Sequence, residues 1–184
     1  MDSVFIKKVL SGDCDAFEHF VSKYKDFAFA LSYSVVKDRF SAEEAVQKSF
    51  IKAFEKLHTF KQNATFKTWF GRIIINESLR EVTKYKESND IKNISEEEIT
   101  EVDFTLNNLI QKERKLLISK IFKNLSYEES LVLELYYLKE FTIKEVCEVT
   151  DWSQSKVKML NLRGRKNFYY QMKIILKNEM KDVL

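Results

Sequence analysis

The 2 histidines and 2 cysteines are the residues of this sequence best suited to proton transfer, nucleophilic attack or metal ligation, and their spacing supports none of these. His19 and His58 have no serine or cysteine arrangement that would make either the base of an activated nucleophile. Cys14 and Cys147 lie far apart, with neither CxxC spacing nor a local histidine pair of the kind that builds a zinc site. They are expected to be two lone buried thiols, since cytosolic proteins seldom keep disulfides. Gly12, Gly71 and Gly164 are scattered and form no phosphate-cradling loop. No metal and no cofactor is expected, and an enzyme reading finds no support.

The chemistry that remains is binding, and its clearest carrier is charge. From Ser153 to Lys181 the cations Lys156, Lys158, Arg163, Arg165, Lys166, Lys173, Lys177 and Lys181 face the lone acid Glu179. The preceding stretch is reversed, with Glu128, Glu129, Glu134, Glu140, Glu145, Glu148 and Asp151 opposed by Lys139 and Lys144, so positive potential gathers on one element. A solvated helix face or a membrane-surface helix would also be basic. The context favours DNA: a short helix from Thr142, a tight break at Asp151-Trp152-Ser153 and a longer basic helix form a helix-turn-helix order. In that motif the second helix enters the major groove, where lysine and arginine meet phosphates or guanine edges.

A second candidate lies at Phe60 to Lys67, a polar break holding Lys61, Gln62, Asn63 and Thr65, followed by Phe66, Trp69 and Phe70, with Arg72, Asn76 and Arg80 beyond. Amides and cations among aromatic rings suit single-stranded DNA, whose bases stack while its phosphates are neutralised. Trp69, Phe70 and Ile73 stand at helical spacing and read as core instead of stacking platform, so the expected contacts are the polar loop and one helix face.

Helices must position both regions. With no proline and 3 glycines in 184 residues, the usual punctuation of turns and hairpins is nearly absent, which favours an all-α fold. Hydrophobic residues at 45% and charged residues at 32% match a chain that folds rather than one that stays disordered. Phe17, Phe20, Val21, Tyr24, Phe27 and Leu31, then Ala42, Ala45, Val46, Phe50, Ala53, Phe54 and Leu57, recur at helical spacing. Asp13 is expected to cap the first long helix, and Ser41 with Glu44, Ser126 with Glu129 and Thr142 with Glu145 have capping-box spacing. Polar, acidic text between Lys86 and Asp103 reads as a linker in which Ser95 could cap a short helix. Two small helical bundles on a flexible linker follow, at 1–88, 89–103 and 104–184, the second with the helix-turn-helix. No export signal or membrane-spanning run is visible, so a cytoplasmic chain without membrane insertion is expected.

Two stretches carry a family resemblance. SAEEAVQKSFIKAFEKLHTFKQNATFKTWFGRIIINESLR, from Ser41 to Arg80, resembles regions 2.2 to 2.4 of the sigma-70 family in its extracytoplasmic-function class, without a gap. LSYEESLVLELYYLKEFTIKEVCEVTDWSQSKVKMLNLRGRKNF, from Leu125 to Phe168, resembles region 4 of the same family. The resemblance implies an alternative sigma factor with core RNA polymerase and promoter DNA as partners, and no catalysis of its own. It implies that Glu44, Gln47 and Lys48 meet the clamp helices of the largest polymerase subunit while Phe50 stays in the core, and that region 4 meets the flap of the second-largest subunit. For the downstream promoter element it implies a base-capturing loop at Asn63, Ala64 and Thr65, with Lys61, Lys67, Arg72, Asn76 and Arg80 around it. For the upstream element it implies Ser155, Lys156, Lys158, Met159, Leu162, Arg163 and Lys166 at the major groove, and many relatives are held by an anti-sigma factor.

Three positions depart from the family pattern. Lys48 stands where an acid is usual, and should weaken docking on a basic partner surface. Leu160 replaces a frequent arginine and Asn161 a core aliphatic residue, so Leu160 is expected to turn into the core in its place. Two other classes stay open on sequence: a helix-turn-helix regulator that binds duplex promoter without polymerase, and a helical interaction module without DNA, marked by insensitivity to salt.

Overall fold

The computed structural model describes residues 2–88 and 106–181, and these fold entirely as helix, turn and loop. Helix α1 (Asp2–Leu10) leads through a 3-10 turn (Cys14–Phe17) into α2 (Glu18–Val36), α3 (Arg39–Lys56), a second 3-10 turn (Leu57–Thr59) and α4 (Phe66–Ser88). Then come α5 (Leu106–Lys123), α6 (Tyr127–Leu133) continued by a π-helical turn (Glu134–Leu138), α7 (Ile143–Thr150) and α8 (Gln154–Lys181). The proposed linker at 89–103 and the Ser95 cap lie outside the described residues.

In the first half α2, α3 and α4 pack mutually around Phe20, Leu31, Phe70 and Ile74, all fully buried. Burying such side chains contributes about 1.5–3 kcal/mol each. The helices cross closely because Ser32, Ser49 and Ser78 occupy contact positions that larger residues would wedge apart. Their hydroxyls are satisfied: Ser78 Oγ donates to Ser32 Oγ (2.9 Å), Ser32 Oγ to the Ala42 carbonyl (3.3 Å) and Ser49 Oγ to the Ala45 carbonyl (2.6 Å). Helix α1 is fastened by Asp2, whose carboxylate accepts from Lys23 Nζ and Tyr24 Oη, both at 2.6 Å, with His19 Nε2 at 3.1 Å. Burial alone would raise the Asp2 pKa, but these hydrogen bonds outweigh it and hold the group down at about 2.

Capping follows the sequence at three of four places. Asp13 accepts from Ala16 N and starts the 3-10 turn that feeds α2. Ser126–Glu129 and Thr142–Glu145 form the expected reciprocal boxes at α6 and α7. Helix α3 begins one turn earlier than the Ser41–Glu44 spacing suggests, because extended Asp38 accepts from Ser41 N at 2.7 Å and takes over the cap. Cys14 is corrected as well: it is exposed at the head of the 3-10 turn, and Cys147 is half-buried.

The second half is built on α6 and α8. Val157 and Leu160 of α8 are fully buried, and α8 approaches α6 at Gly164, where an added Cβ would lie 3.3 Å from Leu133 Cγ. The turn between α7 and α8 has no glycine; Asp151 takes the left-handed conformation (φ 62°), which aspartate tolerates better than most residues. The two expected bundles are present, and they pack on one another: α7 lies on α4 and α6 on α2, so Phe141, Val146 and Val149 share one core with Phe27 and Leu31. No helix among the described residues is long and apolar enough to cross a membrane.

Candidate nucleic-acid interface

The loop between α3 and α4 owes its shape to a few local bonds. Thr65 caps α4 by accepting from Thr68 N at 3.1 Å, and Gln62 adopts a left-handed conformation (φ 56°) that turns the chain back. Phe60 and Phe66 anchor the loop ends through rings 6.0 Å apart, with Trp69 5.1 Å from Phe60. Above them opens a recess of about 390 Å³ bordered by Lys61, Asn63, Ala64, Trp69, Arg72 and Glu148. Phe70 is core and Trp69 packs partly against it, as their spacing suggests, yet one side of the indole lines the recess. An aromatic wall with amide and cationic rims can stack a base and hold its phosphate.

Arg72, Asn76 and Arg80 recur every four residues along one exposed face of α4, so they form a stripe leading away from the recess. Arg80 Nη1 bonds Glu77 at 2.5 Å, and Arg72 Nη2 is paired with Asp151 at 2.8 Å. Lys67 turns away from the loop. Its Nζ donates to the Lys139 carbonyl at 2.9 Å and sits over the rings of Phe141 (4.7 Å) and Phe27 (5.4 Å). Burial there pushes its pKa down. Thr65 spends its hydroxyl on the cap, leaving Lys61 and Asn63 as the loop's free polar side chains of the expected set, with Ala64 shaping the wall.

On α8 the expected residues divide into two groups. Ser155, Lys158, Met159, Leu162 and Lys166 are exposed and point away from the bundle, Met159 and Leu162 being 52% and 53% accessible. Lys156 and Arg163 reach back to α6: Lys156 Nζ bonds Glu128 at 2.6 Å and lies over the Trp152 ring, while Arg163 Nε bonds the buried Glu129 at 2.5 Å. Their charge is thus shared with carboxylates, and the outward face is mixed apolar and cationic. Leu160 has turned fully into the core, and Asn161 Oδ1 instead accepts from Tyr137 Oη on the surface.

The third face is on α3. Glu44, Gln47 and Lys48 stand together, and Lys48 is drawn inward: its Nζ bonds Glu81 of α4 at 2.5 Å and approaches Glu44 at 3.7 Å. The bond to Glu81 raises the Lys48 pKa and so fixes its charge. Phe50 packs against the core at 4.7 Å from the Phe70 ring. Sequence reading missed Phe40 and Ile51, 69% and 59% exposed on that same face; their spacing from Glu44 and Gln47, four residues each way, was the available signal. It also missed Glu148 and Asp151 at the loop recess, contacts between distant segments that no local pattern encodes.

Residues 20–87, which contain α3, the loop side of the recess and the α4 stripe, match the family model described as Sigma-70 region 2. The chain is 29% identical to the ECF RNA polymerase sigma factor SigW of Bacillus subtilis over 91% of its length and 95% of that protein. It is 24% identical to the ECF RNA polymerase sigma-E factor of Haemophilus influenzae, covering 89% and 91%. Among solved structures the fold matches the sigma factor RpoE in complex with the anti-sigma factor NepR from Bartonella quintana (TM-score 0.67, 17% identity, 86% of this chain and 97% of that one). It also matches CnrH in complex with the cytosolic domain of CnrY (TM-score 0.64, 16% identity, 93% and 96%). The chain is thus similar, over most of its length, to sigma factors of the extracytoplasmic-function class, and its residues 20–87 carry the Sigma-70 region 2 match.

Proposed function

We propose that this chain acts as an alternative sigma factor that joins core RNA polymerase and directs it to promoters carrying two separated elements. The observation that carries the reading is the pairing of two distinct DNA-suited faces on one chain: the recess and stripe of α4, and the outward face of α8 behind a helix-turn-helix. The first suits melted, single-stranded bases, with Lys61, Asn63, Arg72 and Asn76 as contacts and Trp69 as one wall. The second suits duplex, with Met159 and Leu162 against thymine methyls, Lys158 and Lys166 on phosphates, and Ser155 at the helix start. Two modest contacts on one linked chain combine through effective concentration into a stable complex. Sigma factors are initiation factors; polymerase makes the bonds.

The face of Glu44, Gln47 and Lys48, flanked by Phe40 and Ile51, is the proposed seat for the clamp helices of the largest subunit: apolar anchors around polar contacts suit a helical partner. An apolar groove of about 450 Å³ beside α5, α6 and α8, bordered by Ile118, Phe122, Leu133, Tyr137 and Leu138, is the proposed seat for the flap of the second-largest subunit. An anti-sigma factor is a further proposed partner, supported by the solved sigma factor that carries one. Work alongside polymerase places the chain in the cytoplasm.

Run-off transcription with core polymerase on a promoter library, with and without the chain, tests this. Starts that depend on the chain and share two spaced elements are expected. No starts, together with salt-sensitive duplex binding by the chain alone, would establish a regulator that works without polymerase.

A further inference from the structure

Arg165 and Phe168 stand three residues apart on α8, so both face the groove beside α5 and α6, and they bring it opposite chemistries. Phe168 meets Phe122 of α5 edge to face at 6.0 Å, and Ile118 and Leu133 extend the apolar lining. Arg165 is exposed at the rim. Its Nη1 donates to the Tyr137 hydroxyl at 3.5 Å, and that hydroxyl donates to Asn161 Oδ1 at 3.3 Å. Among the described residues no carboxylate pairs with Arg165, whereas Lys156 and Arg163 of the same helix are each met by a glutamate of α6. The groove therefore has apolar walls and one planar cation at its edge whose charge nothing in the fold balances.

From this pairing we propose that the groove binds a free, single-tailed aliphatic carboxylate, a fatty acid of medium length, with its tail against Phe122, Leu133 and Phe168 and its head on Arg165. A volume of about 450 Å³ lies in the range of small-ligand sites and suits one tail better than the paired tails of a membrane lipid. The guanidinium offers two parallel N–H donors, which match the two oxygens of a carboxylate as they match no alcohol or ammonium head. Burying the tail tightens binding roughly fourfold for each methylene removed from water. Affinity thus comes from the tail and orientation from Arg165. The same groove is the proposed seat of the polymerase flap, and one groove cannot hold both, so the acid antagonises polymerase docking. That consequence rests on the flap reading; the ligand site does not.

The test uses the full chain and sodium dodecanoate, kept below the concentration at which light scattering detects aggregates, with binding read by isothermal titration calorimetry. Octanoate and decanoate vary the tail; dodecanol and dodecyltrimethylammonium keep the tail and change the head. Saturable binding of one dodecanoate per chain is expected, tightening by about an order of magnitude for each two-carbon step and tighter for the carboxylate than for the ammonium. Arg165→Gln should weaken dodecanoate about threefold to fivefold, as loss of an exposed ion pair does, and leave dodecanol unchanged. Leu138→Glu, which sets a charge among the apolar side chains, should weaken every ligand by at least roughly tenfold. Both positions are exposed, and circular dichroism checks that both variants keep their helicity. Absence of saturable binding overturns the site. Binding that is equal for dodecanoate and dodecyltrimethylammonium and unaltered by Arg165→Gln overturns it too, since the tail alone would then be adsorbing. In a second measurement the fluorescein-labelled chain is titrated with core RNA polymerase, with and without saturating dodecanoate. Weaker polymerase binding is expected, with Arg165→Gln shifting the effect to higher dodecanoate concentration. Head-selective binding of dodecanoate with unchanged polymerase affinity upholds the ligand site and overturns the reading of the groove as the flap seat.

Discussion

Replacing Lys48 by glutamate would restore the acid usual at this position of the family, and its effect can be worked out from the α3–α4 contact. Lys48 Nζ sits 2.5 Å from a Glu81 oxygen, with the lysine side chain 40% exposed and the glutamate 9%. Exposed ion pairs stabilise by about 0.2–1 kcal/mol, whereas removing one partner of a buried pair costs about 3–5 kcal/mol. A pair with one exposed and one buried member falls between, and Lys48→Glu also brings a third carboxylate to Glu44 and Glu81. A loss of about 2 kcal/mol is expected, roughly a thirtyfold change in the folded-to-unfolded ratio. Urea unfolding of K48E, E81K and K48E/E81K forms a double-mutant cycle, in which the double variant should recover most of the loss because the pair is rebuilt in reverse. Polymerase affinity of K48E should not improve, since the lysine charge is already engaged by Glu81. A K48E variant as stable as the parent, with zero coupling to E81K, would refute the pairing.

Two further outcomes follow from packing and titration. Leu160→Ala empties a fully buried site between α8 and the rest of the second half, and should lower stability by about 2–5 kcal/mol with an unchanged denaturant slope. Asp2→Asn should lower the melting temperature at neutral pH, because the folded carboxyl titrates at about 2 against an ordinary value of 3.8. The stability Asp2 supplies is complete above the ordinary value and is lost as the pH falls through about 2, so parent and variant should converge across that window in thermal melts.

Legibility in the sequence followed the range of each interaction. Helices, their apolar faces and the boxes at Ser126 and Thr142 were readable because each depends on residues three or four apart. The α3 start was misplaced because two acceptors, Asp38 and Ser41, competed within one turn, and only backbone conformation decides between them. The inward turn of Leu160 was legible only through the family resemblance, which puts a core aliphatic residue where Asn161 stands, and Leu160 is indeed fully buried. The inward turns of Lys67 toward Lys139, of Arg72 toward Asp151 and of Lys48 toward Glu81 join segments distant in sequence, and residue types alone left those cations looking free.

The π-helical turn at Glu134–Leu138, closed by Lys139 N on the Glu134 carbonyl at 2.9 Å, bears on how this chain and its relatives can differ in length. An α-helix that gains one residue can widen a single turn and leave both flanks in register. Here Leu131 to Leu135 on one side and Phe141 on the other keep their burial. Deleting one residue from this turn would return it to ordinary winding and, because the widened turn absorbs that residue, leave its downstream flank in the same register. Helix α7 would then still meet α4 with the same set of side chains. A one-residue gap at this point in a comparison of relatives therefore marks a change of winding confined to one helical turn, and neither a difference in loop length nor a shift of the helices that follow.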